Sequence, residues 1–181
     1  MAKKNIIVGV TGSVACYKAL DVIRSLQRIG MATEVVLTKE AEEFIRPVLF
    51  QAISGNKVIS SSLFKLPEEW ESAHISLAER ADLILIVPAT ANIIGKIASG
   101  LCDDMLTCAV CATKAPLLFA PAMNEGMYTN KIVQENILKL KKVGYHFIGP
   151  VKGKLSCGTE GIGHVQDIET IVKEVKRLSG Y

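Results

Sequence analysis

Four short segments of this chain combine residue types that could hold an anionic ligand. The first is Gly9-Val-Thr-Gly12-Ser13, an apolar run that breaks in a glycine turn and enters a helical pattern directly. Such a turn offers backbone N–H groups and the positive end of a helix dipole to a phosphate, and Gly12 lets an anion approach the main chain. The second is Thr38-Lys39, at the end of the next apolar run, where a dinucleotide site would carry a carboxylate for the ribose. A hydroxyl beside a cation suits phosphate better, and the full GxGxxG fingerprint is missing. Taken alone, the same residues also fit a tight strand-to-helix turn with Ser13 and Thr38 as N-caps. Two further apolar runs end in small polar turns, Pro88-Ala-Thr90-Ala-Asn92 and Pro121-Ala-Met-Asn124. Four strand ends converging on one sheet edge point to a mononucleotide cofactor.

The elements that must position these turns are legible as alternating patterns. Ile6 to Val10, Thr33 to Leu37, Leu83 to Val87, Leu117 to Ala120 and His146 to Ile148 read as strands. Helical patterns lie between them. Val14 to Ile29 places Ala19, Val22, Ile23 and Leu26 on one face and stops at Gly30; Asn130 to Val143 repeats the device with Ile132, Val133, Ile137 and Leu140 and stops at Gly144. Asp167 caps a last helix whose Ile168, Ile171, Val172, Val175 and Leu178 form an apolar stripe. Strands alternating with helices predict an α/β fold, a doubly wound parallel sheet with helices on both faces, in one domain over residues 1–181. Two segments stand apart. Residues 60 to 73 hold Pro67 and Trp70 and lead to His74, and residues 149 to 164 read as a long glycine-rich loop, mobile or functional.

Composition narrows the partners. The 181 residues are 49% hydrophobic and 22% charged, which is ordinary globular composition, and the net charge of +3 is too small and dispersed to argue for nucleic acid. No apolar run approaches the ~20 residues of a membrane span, and the N-terminus lacks the pattern of a signal peptide, so a cytoplasmic location is expected. Five cysteines, an odd number in a chain able to build its own core, predict reduced thiols. Cys108-Ala-Val-Cys111 resembles a metal motif, but it falls in an apolar helical segment without a second ligand pair, so two buried helix thiols and no metal are expected.

The residues also carry a family resemblance that covers nearly the whole chain. Gly12-Ser13-Val14-Ala15 with Lys18, Ala73-His74-Ile75, Pro88-Ala-Thr-Ala-Asn92, Gly100-Leu-Cys-Asp-Asp104, Pro121-Ala-Met-Asn124 with Met127, and Ser156-Cys157-Gly158 with Glu160-Gly161 and Gly163 resemble the homo-oligomeric flavin-containing cysteine decarboxylases. Within that family the resemblance is strongest to the branch acting on 4′-phosphopantothenoylcysteine in coenzyme A biosynthesis. It implies a flavodoxin-like, Rossmann-like fold, a homotrimer or an assembly of trimers, and FMN bound between subunits. Gly12, Ser13, Val14, Thr38, Lys39, Thr90, Ala91, Asn92 and Ala122 fall where the family binds FMN. His74 matches its base, Asn124 and Met127 its substrate contacts, and Cys157 the acid on a substrate clamp. His164 stands where many bacterial relatives have arginine after the final clamp glycine. The chain ends about where a bifunctional relative would continue into a ligase.

The implied chemistry suits these residue types. A cysteine carboxylate has no electron sink beyond its α-carbon, so oxidation of the thiol-bearing carbon by FMN to a thioaldehyde must precede loss of CO2 as an enethiolate. His74 would manage the thiol proton, since imidazole is the side chain that ordinarily titrates near neutral pH. Asn124 offers an uncharged amide for the substrate carboxylate, and Met127 packs over substrate or fills core. Cys157 would protonate the enethiolate, giving saturated 4′-phosphopantetheine. Relatives acting on peptide C-terminal cysteines lack that thiol and stop at the enethiol. Flavin prenyltransferases lack the Pro121–Asn124 motif and the cysteine loop. A non-catalytic flavin-binding regulatory subunit is the contrasting class, and the presence of His74 and Asn124 argues against it.

Overall fold

Leu83 to Ala89 carries no polar side chain, and a strand of that kind needs cover on both faces. A computed structural model of the chain, describing residues 3–60, 73–154, 158 and 160–181, shows how the cover is built. In chain order the elements are β1 (Asn5–Val10), a 3₁₀ turn (Val14–Tyr17), α1 (Lys18–Arg28), β2 (Ala32–Leu37), α2 (Lys39–Phe44), α3 (Pro47–Ser54), α4 (Ala73–Arg80), β3 (Leu83–Ala89), α5 (Ala91–Ala98), α6 (Met105–Ala112), β4 (Leu117–Pro121), α7 (Glu125–Tyr128), α8 (Lys131–Lys142), β5 (His146–Phe147), β6 (Val151–Lys154), β7 (Glu160–His164) and α9 (Ile168–Ser179). The first five strands in this series form a parallel sheet in the order β2-β1-β3-β4-β5. This is the doubly wound, flavodoxin-like arrangement, with its topological switch point between β1 and β3.

Strand alternation divides the core into two layers. Ile6, Val8, Val10, Leu83, Leu85 and Val87 meet α1, α3 and α9, while Ile7, Ile84, Ile86, Leu117 and Phe119 meet α4, α5, α6 and α8. Each such side chain, fully buried, contributes about 1.5–3 kcal/mol relative to exposure. On the second layer Phe119 stacks on Phe147 at 4.7 Å between ring centroids.

The structure departs from the sequence expectations at Ile132, which is 63% exposed on α8 rather than inward, and in three larger features. The helical pattern from Val14 begins as a 3₁₀ turn, because Cys16 N donates to Ser13 O at 2.9 Å, and becomes α-helical only at Lys18. The expected loop of residues 149 to 164 contains an antiparallel hairpin, β6 against β7, in the register Lys152 to Ile162, Gly153 to Gly161 and Lys154 to Glu160. Its strands are short and glycine-rich, so no alternation marks them; residues 60 to 73 lie largely outside the described residues.

The third departure concerns the thiols. Cys108 is half-buried and Cys111 exposed, because α6 turns both toward its surface side, and the loop before the helix brings Cys102 beside them. The Cys102 residue is exposed, yet its sulfur faces the carbonyls of Gly100 (3.6 Å) and Thr107 (3.9 Å). Loss of water around that sulfur, followed by the hydrogen bonds and charge of Cys111 and Cys108, pushes its pKa up to about 11. At neutral pH its thiolate fraction is roughly 100-fold below that of an ordinary thiol, only partly offset by greater nucleophilicity. Alkylation of Cys102 at neutral pH is therefore expected to be at least about tenfold slower than that of a free thiol, rising until pH passes about 11. Mass-resolved labelling kinetics check this, and a rate already level at pH 8 would contradict it.

Candidate active site

The ends of four strands build the site. Thr11, the residue after β1, is buried; its hydroxyl donates to Pro88 O at 2.7 Å and accepts from Thr90 N at 3.3 Å. These bonds tie the turns after β1 and β3 together across the switch point. Ser13, Thr38 and Thr90 each cap the helix that follows, accepting from Ala15 N, Ala41 N and Ile93 N, so each turn has a fixed exit angle. Between the turns lies a cavity of about 370 Å³, within the ~300–1,000 Å³ typical of small-ligand clefts.

Of the positions anticipated from sequence, Gly12, Ser13, Val14, Thr38, Thr90, Ala91, Asn92, Ala122 and Met127 line this one cavity. Lys39, Asn124 and His74 are not among its described lining residues. Lys39 is exposed at the start of α2, where the next residue, Glu40, faces the cavity instead. Asn124 is exposed and caps α7, its Oδ1 accepting from Gly126 N at 2.8 Å. His74 is half-buried in the first turn of α4, which packs beside α6; Thr113, just past α6, donates its hydroxyl to Ala78 O at 3.0 Å. Cys157 lies outside the described residues, between β6 and β7. His164 is in β7, with Nδ1 2.9 Å from Val165 O.

Sequence reasoning missed Thr11, Glu40, Phe44, Ile93, Asp104 and Met123 as lining residues. Thr11, Asp104 and Met123 stand inside motifs that had drawn notice, without a role assigned. Phe44 is 53% exposed at the end of a six-residue helix too short to show a period. Asp104 caps α6, accepting from Thr107 N (2.8 Å) and Thr107 Oγ1 (2.9 Å), and Lys96 bridges it to Asp103 at 3.4 and 2.9 Å. Partial burial works to lower the Lys96 pKa, but the two carboxylates outweigh it and hold the ammonium above its ordinary value. The Asp104 charge is thereby paired at the cavity wall.

The cavity fits a flat, phosphate-bearing cofactor. Gly12 forms a cradle that a side chain would fill: a Cβ there would overlap Glu40 Cβ and sit 3.1 Å from the Glu40 carbonyl carbon. Gly12→Ala is therefore expected to force the turn and α2 apart, costing about 1–3 kcal/mol of stability and most of the cofactor affinity. Cofactor absorbance per purified chain and thermal melting check this, and a variant that stays fully loaded would count against the cradle.

The far wall is shared with the hairpin. Met123 N donates to Gly163 O at 3.0 Å, and Glu125 Oε1 accepts from Ile162 N at 3.1 Å. Gly163, at φ +149°, has no room for a side chain, because a Cβ would overlap Met123 O.

A doubly wound sheet with a cavity at its switch point and a glycine cradle defines a nucleotide-cofactor-binding fold of the flavodoxin-like class. The Flavoprotein family pattern matches residues 1–180, and the chain belongs to that family. It is 44% identical over 170 residues to the coenzyme A biosynthesis bifunctional protein CoaBC of Borreliella burgdorferi, covering 94% of this chain and 43% of that protein. The chain thus spans about two fifths of the length of the bifunctional relatives it matches. It is 40% identical over 175 residues to a probable phosphopantothenoylcysteine decarboxylase of Streptococcus mutans, covering 96% of this chain and 97% of that one. Among solved structures, a PPC decarboxylase cysteine-to-serine mutant complexed with pantothenoylaminoethenethiol superposes with a TM-score of 0.86 at 29% identity, over 99% of this chain and 100% of that one. The FMN-dependent cysteine decarboxylase SpaF also superposes with a TM-score of 0.86, at 27% identity and over 99% of each chain. The α/β, flavodoxin-like expectation and the family resemblance are both borne out.

Proposed function

We propose that this chain is an FMN-dependent carboxy-lyase that converts 4′-phosphopantothenoylcysteine to 4′-phosphopantetheine in coenzyme A biosynthesis, with residues 1–181 as its flavoprotein domain. The observation that carries the reading is the cavity at the switch point, lined by both the Gly12 cradle and the Met123–Met127 segment, to which the hairpin flanking Cys157 is bonded. The 40% identity across nearly the full length of a probable decarboxylase supports the same substrate.

FMN bound here supplies the oxidising power that makes the cysteine carboxylate a leaving group. The chain's own residues do the rest. Gly12, Ser13 and Val14, with Thr38, hold the phosphate end; Thr90, Ala91, Asn92 and Ala122 hold the remainder against the strand ends. Asn124, whose Oδ1 is held by the α7 cap, offers the substrate carboxylate an uncharged amide that adds no charge to oppose departure of CO2. Met127 packs over the substrate. His74 takes the thiol proton, and Cys157 returns a proton to carbon.

The assembly is a homotrimer or a higher set of trimers. Val14 (55% exposed), Phe44 (53%) and Met127 (49%) are exposed apolar residues lining the cavity, which supports cover by a neighbouring subunit. That neighbour brings His74 to the cavity. The proposed location is cytoplasmic; among the described residues no helix is long and apolar enough to cross a membrane.

The test is a visible spectrum of the purified protein, then anaerobic addition of phosphopantothenoylcysteine with mass analysis. A yellow protein releasing a product lighter by one CO2 is expected. A product lighter by two further hydrogens would indicate the peptidyl-type half-reaction, a loaded but inert protein a regulatory subunit, and a protein that never takes up flavin would end the proposal.

A further inference from the structure

The mechanism above makes no use of Glu125, the first residue of α7, yet its surroundings are unusually particular for an exposed carboxylate. It sits between Met123 and Met127, both in the cavity wall. Its Oε1 accepts the backbone N–H of Ile162 in β7 at 3.1 Å. One residue earlier the strand is glycine, and a Cβ on Gly161 would lie 2.7 Å from Glu125 Oε2 and 2.9 Å from its Cδ. One residue later comes Gly163, whose carbonyl accepts from Met123 N and whose own Cβ would overlap Met123 O. Two glycines thus strip β7 of side chains where the 123–125 segment presses on it, and between them a carboxylate takes up the amide of Ile162. A carboxylate accepting a backbone N–H makes a stronger bond than a neutral acceptor would.

We propose that Glu125 is a positioning residue, whose carboxylate fixes hairpin β6–β7 onto the cavity wall carrying Met123 and Met127. The inference rests on the decarboxylase reading for its catalytic consequence, but the anchoring itself stands on the contacts of Glu125 with β7. Without the carboxylate, β7 loses one of its two described hydrogen bonds to the 123–125 segment and pivots on the Met123–Gly163 bond that remains, and the wall that contacts substrate loses its register. Displacements of about 1 Å in a positioning element cost up to about 100-fold in catalysis, whereas the Gly12 cradle packs on Glu40 and makes no described contact with Glu125.

The experiment compares Glu125→Ala and Glu125→Gln in the flavin-loaded full chain. Glutamine keeps an oxygen acceptor in the same place, so it should rescue what alanine loses. In Glu125→Ala, hydrogen exchange at the Ile162 amide should accelerate at least about tenfold, and KM for phosphopantothenoylcysteine should rise about tenfold with a much smaller change in kcat. Flavin absorbance per chain and melting temperature should stay at wild-type values, and Glu125→Gln should lie close to wild type in both readouts. Unchanged exchange at Ile162 in the alanine variant would overturn the anchoring. Accelerated exchange with unchanged KM would overturn its role in positioning the wall. If the wild-type chain does not decarboxylate this substrate, the functional reading fails, and the exchange contrast between the two variants decides the anchoring alone.

Discussion

Replacing His74 with asparagine is expected to leave a yellow, folded protein that has lost at least about 100-fold of its decarboxylation rate. A positioned general base contributes typically 10²–10⁴-fold, and asparagine keeps the hydrogen-bonding reach of the ring without its capacity to take a proton. Flavin should be retained because His74 is not among the described residues lining its own chain's cavity. That placement sharpens the prediction. His74 lies in the first turn of α4, on the helical layer that also contains α6, and in the proposed trimer the cavity it serves belongs to a neighbour. Mixed oligomers of His74→Asn chains with Gly12→Ala chains should therefore regain activity, since some interfaces then pair an intact histidine with an intact cradle. Normal turnover by His74→Asn would reject the base assignment. Loss of activity with no recovery in mixed oligomers would place the histidine's action within its own subunit.

The second large effect is expected at Cys157. A serine hydroxyl is a far weaker acid than a thiol, so Cys157→Ser should complete the oxidative half of the reaction and then stall. The predicted readouts under anaerobic conditions are a product lighter than 4′-phosphopantetheine by two hydrogens, visible absorbance that bleaches once and does not return, and formation of saturated product slowed about 100-fold or more. Full turnover by the serine variant would remove Cys157 from the mechanism. Because β7 is anchored by Met123 and Glu125, this variant should leave Ile162 exchange unchanged, which separates the loss of a proton donor from the loss of an anchor.

Much of this was legible before any coordinates. The five parallel strands fall within a residue or two of the apolar runs that suggested them, and Gly30 and Gly144 stop their helices at φ +89° and +94° as their positions implied. Asp167 caps the last helix through Thr170 N. These features repeat over a few residues, with a period of two or of 3.6, or rest on one side chain bonding its near neighbour. The cradle belongs to the same category, because Gly12 and Ser13 are consecutive with the strand they terminate.

What escaped the sequence has a common character. The hairpin of residues 151–154 and 160–164 has no apolar period and is held by contacts with Met123 and Glu125, some 40 residues earlier in the chain. Asp104 and Phe44 line the cavity, yet nothing in the residues beside them distinguishes a cavity wall from a helix cap or a surface aromatic. Cys108 and Cys111 looked buried because their neighbours are apolar, but which side of α6 meets the sheet is chosen by packing. By itself, then, the sequence determined the order of the elements, the edge on which ligands gather and the residue types able to do the chemistry, because those follow from short-range pattern. Only the tertiary structure decided which of those residues share a wall, that His74 stands apart from its own chain's cavity, and that a carboxylate at Glu125 seats the hairpin, because each depends on how closely segments distant in the chain can approach.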